Sequence, residues 1–123
     1  MPIIVEEITV TTTGSSGSAT GTEYSNVVTG YLLDLAVNYH ASAPATTDIT
    51  ITGGQGETLY SKSNSATDTA ILPIRQQATD NTGAAISGAY VNMPVTGKIT
   101  VTLAQCDALT GAAVVTVRIL TAA

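Results

Sequence analysis

The chain has 123 residues and a formal net charge of −5, with four basic and nine acidic side chains. It contains one His, one Cys, no Trp and no Phe, so few of the groups that build catalytic or metal-binding sites are present. The length predicts a single domain over residues 1–123. The basic residues are scattered, which argues against binding to nucleic acid or to an anionic membrane surface, because both need clustered Lys and Arg.

Apolar residues recur with a period of two along most of the chain, and this period is typical of β-strands. The first strand is predicted over 3–13, and the Gly- and Ser-rich segment 14–21 is predicted to be a flexible loop. The clearest alternation covers 31–40. On that strand five side chains are predicted to face the core, namely Tyr31, Leu33, Leu35, Val37 and Tyr39.

The middle of the chain continues the pattern. Strands are predicted over 48–52, with Ile49 and Ile51 inward, and over 57–63. The glycines of 53–56 permit the positive φ angles of a turn between them.

A further strand is predicted over 69–76. Pro73 has no N–H to donate to a neighbouring strand, so this strand is predicted to lie at an edge or to contain a bulge. Residues 80–83 have the composition of a turn. The segment 84–93 has weak periodicity and is predicted to be irregular.

Two more strands are predicted near the end of the chain, joined by 107–111. In 98–104 the apolar residues Ile99, Val101 and Leu103 alternate with threonines, and in 113–121 Val115, Val117 and Ile119 alternate with Thr116 and Arg118. No segment has a sustained helical period. The expected fold is all-β: a single antiparallel β-sandwich of about seven or eight strands, immunoglobulin-like or jelly-roll. A closed barrel is the alternative.

The candidate chemical groups do not form a recognisable constellation. His40 shares a predicted strand face with Asp34, but six residues of strand separate the two by about 20 Å. His40 is therefore predicted to lie at the surface. Cys106 is predicted to be a buried thiol, because one Cys forms no internal disulfide and one Cys with one His is too few for zinc.

Five acidic residues lie at or near predicted loops: Asp48, Glu57, Asp68, Asp80 and Asp107. They lack the D-x-D-x-D spacing of a calcium loop, so calcium bridging is a minor alternative to ordinary turn carboxylates. No phosphate-binding or nucleophile motif is present. We therefore predict no catalytic, cofactor-binding or metal-binding residues, and no enzyme.

The five tyrosines are the only aromatic residues. Tyr31 and Tyr39 fit the predicted core face, whereas Tyr24, Tyr60 and Tyr90 are candidates for exposed contact residues. Exposed tyrosines can bind sugars, so a ligand- or carbohydrate-binding β-sandwich is an alternative function. Only 11% of the residues are charged, well below the usual quarter, which favours a subunit packed against other protein.

Two stretches carry a resemblance to a known class of protein. Residues 30–51 (GYLLDLAVNYHASAPATTDITI) and 95–105 (VTGKITVTLAQ) are similar to segments of small virion structural proteins of tailed bacteriophages. Among those, the chain resembles the β-sandwich decoration, or cement, proteins of capsids, a family that has no active site.

The resemblance implies a non-enzymatic protein that binds and stabilises the phage head as an oligomer, with a trimer favoured. Its partners would be the major capsid protein or other virion proteins. The N-terminus has neither the basic start nor the apolar stretch of a signal peptide. The expected location is therefore the virion, after synthesis in the host cytoplasm. A neck, tail or fibre component is the alternative position.

Overall fold

A computed structural model describes residues 3–121 and contains eight β-strands and no helix in that range. The strands are β1 (Ile3–Val10), β2 (Ala19–Tyr39), β3 (Asp48–Thr52), β4 (Thr58–Lys62), β5 (Thr69–Pro73), β6 (Arg75–Thr79), β7 (Ala85–Cys106) and β8 (Ala113–Thr121). All their pairings are antiparallel. The predicted all-β, sandwich-like fold is confirmed, while the predicted domain limits at 1 and 123 lie outside the described residues.

Hydrogen bonds join six strands into one open sheet in the order β1-β8-β2-β7-β3-β4, with β5 added to β2 and β6 added to β7. β2 and β7 have 21 and 22 residues, and each changes partners along its length. β2 pairs with β7 over 19–32 and with β8 over 30–39. This change of partner divides the sheet into two halves.

We call β1, β8, the end of β2 (30–39) and β5 the first half-sheet. The second half-sheet consists of the start of β2 (19–29), the end of β7 (93–106), β3 and β4. Buried side chains from both halves form one hydrophobic core. This is the arrangement expected when two sheet layers pack face to face.

Gly30 is the point at which β2 passes from one half-sheet to the other. It pairs with Val95 of β7 on one side and with Thr121 of β8 on the other. A Cβ atom at this position would lie 2.0 Å from the backbone oxygen of Leu120. Only glycine therefore allows the strands to approach this closely.

The predicted alternation of buried and exposed residues is present along β3, β8 and the end of β7. Along β8 every second side chain is buried, from Ala113 to Thr121. The buried residues of these three strands include Ile49, Ile51, Ile99, Val101, Leu103, Val115, Val117 and Ile119. Seven of these eight are β-branched, and such side chains fit a pleated, half-buried surface well.

In the strand predicted over 31–40, the prediction that Tyr31 and Leu33 face the core is wrong. Leu32 is fully buried, whereas Tyr31 is 46% exposed and Leu33 is only half-buried. The pairing of β2 with β8 shifts register between Leu32 and Asp34. This irregularity reverses the inward and outward positions, so Leu35, Val37 and Tyr39 face the core as predicted.

Two segments expected to be irregular contain strand. The segment 84–93 belongs largely to β7, which begins at Ala85 and pairs there with β6. The predicted loop 14–21 ends earlier than expected, because β2 begins at Ala19. Pro73 is the last residue of β5, and β5 pairs with β2 alone among the described strands, which agrees with the predicted edge position.

Candidate interaction surface

The structure does not bring the candidate catalytic residues together. His40 is exposed, and its Nδ1 atom accepts a hydrogen bond from the backbone N–H of Ser42 at 3.0 Å. Asp34 forms an ion pair with Arg118 instead. Cys106 is a fully buried free thiol, as predicted.

The five loop carboxylates have structural partners. Each accepts a hydrogen bond from a backbone N–H at 2.8–3.2 Å, the donors being Asn64 for Asp48, Gln55 for Glu57, Tyr39 for Asp68, Thr82 and Ala84 for Asp80, and Gly17 for Asp107. Such bonds fix loops and turns. Within residues 3–121 no group of three or more acidic, His or Cys side chains converges on one point.

The ion pair of Asp34 and Arg118 lies on the outer surface of the first half-sheet. The two residues are directly opposite each other on β2 and β8, and the Nε atom of Arg118 lies 2.7 Å from a carboxylate oxygen. The Asp34 side chain is 10% exposed and that of Arg118 is 43% exposed. Hydrogen bonding and attraction to Asp34 raise the pKa of Arg118, so Arg118 keeps its positive charge and offsets the negative charge of Asp34.

Next to this pair, four apolar residues form a row across four neighbouring strands. In register order they are Ile3 of β1, Leu120 of β8, Tyr31 of β2 and Pro94 of β7. Residues directly opposite one another point to the same side of a sheet. Ile3 is 57% exposed and Tyr31 is 46% exposed, so the row presents apolar area to solvent. We call these four residues the apolar row.

The apolar surface extends beyond the row. Val5 of β1 lies opposite Arg118, and Pro73 of β5 lies opposite Asp34. Val5 and, on β5, Ile71 are exposed. The outer surface of the first half-sheet therefore combines exposed aliphatic side chains, one internally neutralised ion pair and, on β1, the exposed carboxylate of Glu7. Contiguous exposed apolar area of this kind marks protein contact sites.

The second feature is the hairpin formed by β6 and the start of β7, residues 75–92, which we call the hairpin arm. None of its residues is buried. Ile86, Tyr90 and Val91 are exposed apolar side chains on it, and Tyr90 is 63% exposed. Its turn is closed by Asp80, whose carboxylate accepts hydrogen bonds from the hydroxyl and N–H of Thr82, and these bonds lower the pKa of Asp80.

The exposed tyrosines are partly those predicted. Tyr24 and Tyr90 are exposed, Tyr60 is half-buried and Tyr39 is in the core. Tyr31 was predicted to face the core and is exposed instead, because of the register shift that follows it. Lys98 lies over the ring of Tyr24, with its Nζ atom 5.8 Å from the ring centre, within the range of a cation–π contact.

The chain matches no protein-family model and no curated protein sequence. No helix within residues 3–121 has the length and apolar character needed to cross a membrane. The hairpin arm could not be predicted from apolar periodicity, because neither side of it is buried. The one sign of an exposed contact surface in its sequence is the presence of three bulky apolar residues, at 86, 90 and 91, in a segment that has no core pattern.

Proposed function

We propose that the chain is a non-enzymatic virion structural protein, and more specifically a decoration protein that binds and stabilises a phage head as an oligomer. The observation that supports this proposal is the pair of apolar surfaces on one small body: the outer surface of the first half-sheet and the hairpin arm. A protein that worked alone in solution would gain nothing from leaving both uncovered.

The composition of these surfaces fits protein contact. The centres of protein interfaces are poor in charged residues and rich in aromatic and aliphatic ones. Here the exposed residues include Ile3, Val5, Tyr31 and Tyr90, and the central ion pair is neutral overall. Five of the nine acidic side chains, by contrast, accept hydrogen bonds from the chain's own backbone.

The proposed mechanism is mechanical. Each subunit would hold neighbouring shell subunits through several modest contacts, and an oligomer would multiply those contacts without needing any one of them to be strong. The major capsid protein would be the partner, and the virion the final location after synthesis in the host cytoplasm.

The test is the protein content of purified particles. We expect the chain in near-stoichiometric ratio to the shell protein, measured by quantitative mass spectrometry against labelled standards. Particles stripped of it should lose DNA at a lower temperature, and adding back the purified chain should restore the original temperature. Its absence from particles would refute the proposal, and a copy number in the tens or below would place it in the neck, tail or fibre instead.

Exposed Tyr24, with Lys98 above its ring, favours a second candidate, a carbohydrate-binding β-sandwich. A glycan array is the direct test. Binding that is lost on Tyr24→Ala but kept on Tyr60→Ala would support this alternative, because Tyr60 is half-buried against the core. No binding to any glycan would leave the virion proposal as the better one.

A further inference from the structure

We infer that the hairpin arm of one copy of this chain docks on the outer surface of the first half-sheet of a second copy, with Arg75 of the arm entering an acidic depression beside Glu7. The inference deepens the homo-oligomer of the proposed function and rests on that part of it alone. It does not depend on which virion protein, if any, the oligomer binds.

The arm needs a partner on physical grounds. A two-stranded hairpin with nothing packed against it is at best marginally stable in water. The arm has no buried residue, and Ile86, Tyr90 and Val91 expose apolar area on it. Its turn is nevertheless held in one shape by the bonds to Asp80, which suits a preformed docking element.

Arg75 is the one basic side chain of the arm. The arm contains two charged side chains, Arg75 and Asp80. Asp80 is engaged by its own turn, and among residues 3–121 the ion pair present is that of Arg118 with Asp34. Arg75 is exposed and has no acidic partner within that range, so the arm presents an unpaired positive charge at its base, while the negative charge of Asp80 lies at its turn.

The outer surface of the first half-sheet offers the complementary charge. A shallow depression of about 430 Å³ lies there, and its lining includes Glu7 and Asp68 but no basic side chain. Ala36 and Val114 contribute apolar lining. Asp68 also accepts the backbone N–H of Tyr39, whereas Glu7 forms no ion pair within residues 3–121. A guanidinium group can bond such a carboxylate through two N–H groups at once.

The spacing of apolar and charged groups also matches. On β1, Val5 and Glu7 lie two residues apart on the same side of the strand, a separation of about 7 Å. On the arm, Tyr90 lies diagonally across from Arg75, since Gln77 is opposite Tyr90 and Asn92 is opposite Arg75. Diagonal neighbours are about 7–8 Å apart. Tyr90 can therefore cover Val5 while Arg75 reaches Glu7.

A second copy is the occupant favoured by these facts, because both complementary surfaces belong to this one chain. The contact joins two different surfaces, so two copies can exchange arms in a twofold dimer, or several copies can repeat the contact head to tail and close into a ring when the rotation between copies permits. A discrete oligomer of more than one copy is the expected product.

The experiment uses the full chain, analysed by native mass spectrometry and sedimentation velocity at low and high salt. The wild-type chain should form a discrete oligomer. Arg75→Glu and Glu7→Arg should each weaken association at least tenfold, and the double variant Arg75→Glu/Glu7→Arg should regain most of it because the ion pair is rebuilt with reversed signs. Tyr90→Ser should also weaken association.

Matched controls change the same charges elsewhere. Lys62→Glu on β4 and Glu23→Arg on β2 alter exposed residues away from the proposed contact and should leave the oligomer intact. Thermal melting of each variant checks that the fold is kept. A monomeric wild-type chain, normal assembly of Arg75→Glu, or failure of the double variant to recover would each overturn the inference. If the purified chain forms the expected oligomer but purified particles do not contain it, the proposed function is refuted while this inference stands.

Discussion

The hairpin arm and the body of the sandwich are made from similar residues and from the same kind of antiparallel pairing, but they differ in burial. Along β8, in the body, every second side chain is buried between the two half-sheets. In the arm, residues 75–92, no side chain is buried. The burial of apolar area is the main source of folding stability. We therefore expect the body to hold the fold and the arm to serve contacts outside it.

The sharpest test of this difference between body and arm replaces an apolar residue by aspartate in each region. Leu35→Asp places an unpaired carboxylate at a position that is 1% exposed, and the cost of several kcal/mol is comparable with the whole stability of a small domain. We expect this variant not to fold, as judged by circular dichroism. Val91→Asp, in the arm, should melt like the parent. If Leu35→Asp melts normally, the assignment of the core is wrong.

A second comparison uses glycines. Gly30→Ala would force a Cβ atom against the Leu120 backbone oxygen, which cannot move without breaking the pairing of β2 with β8. We expect a loss of at least about 3 kcal/mol in the free energy of unfolding, measured by urea denaturation. Gly88, in the arm, has a φ of 78° but no atom near its missing Cβ. Gly88→Ala should cost only the backbone strain of a left-handed alanine, about 1–2 kcal/mol.

The two regions should also differ at high pH. Burial, with a smaller contribution from Tyr60, raises the pKa of Tyr39 from 10.0 to about 12. The unfolded chain loses this proton near pH 10 and the folded chain keeps it, so the associated stability is complete below pH 10 and is lost as the pH rises towards 12. We expect a loss of about 2 kcal/mol across that window.

Denaturant unfolding at pH 9, 10, 11 and 12 measures this effect. Tyr39→Phe should remove most of the pH dependence, whereas Tyr90→Phe, in the arm, should leave it unchanged. An equal effect of the two substitutions would contradict the assignment of Tyr39 to the core.

The smallest effect on the stability of the whole chain is expected from a substitution in the turn of the arm. Asp80→Ala removes the acceptor for the N–H groups of Thr82 and Ala84. At a concentration low enough for the chain to be monomeric, the melting temperature should not change, because the arm buries nothing that the body needs. Amide hydrogen exchange should become faster within 75–92 and nowhere else. Faster exchange throughout β8 would mean that the arm and the body unfold together.

The features that the sequence determined are those that local periodicity encodes. Alternation in β3, β8 and the end of β7 predicted their inward residues, because each of these strands keeps one side on the core throughout. Pro73 predicted an edge strand, because it lacks an N–H group. Cys106 was predicted to be buried from its chemistry and its isolation in the sequence.

Other features were decided only by the tertiary structure, because they depend on contacts between residues far apart in the chain. The register shift after Leu32 exposes Tyr31, and it arises from how β2 meets β8. The apolar row exists because β1, β8, β2 and β7 lie side by side, and no stretch of sequence contains its four members. The arm lacked a pattern in the sequence for the same reason that it is exposed: nothing in this chain packs against it.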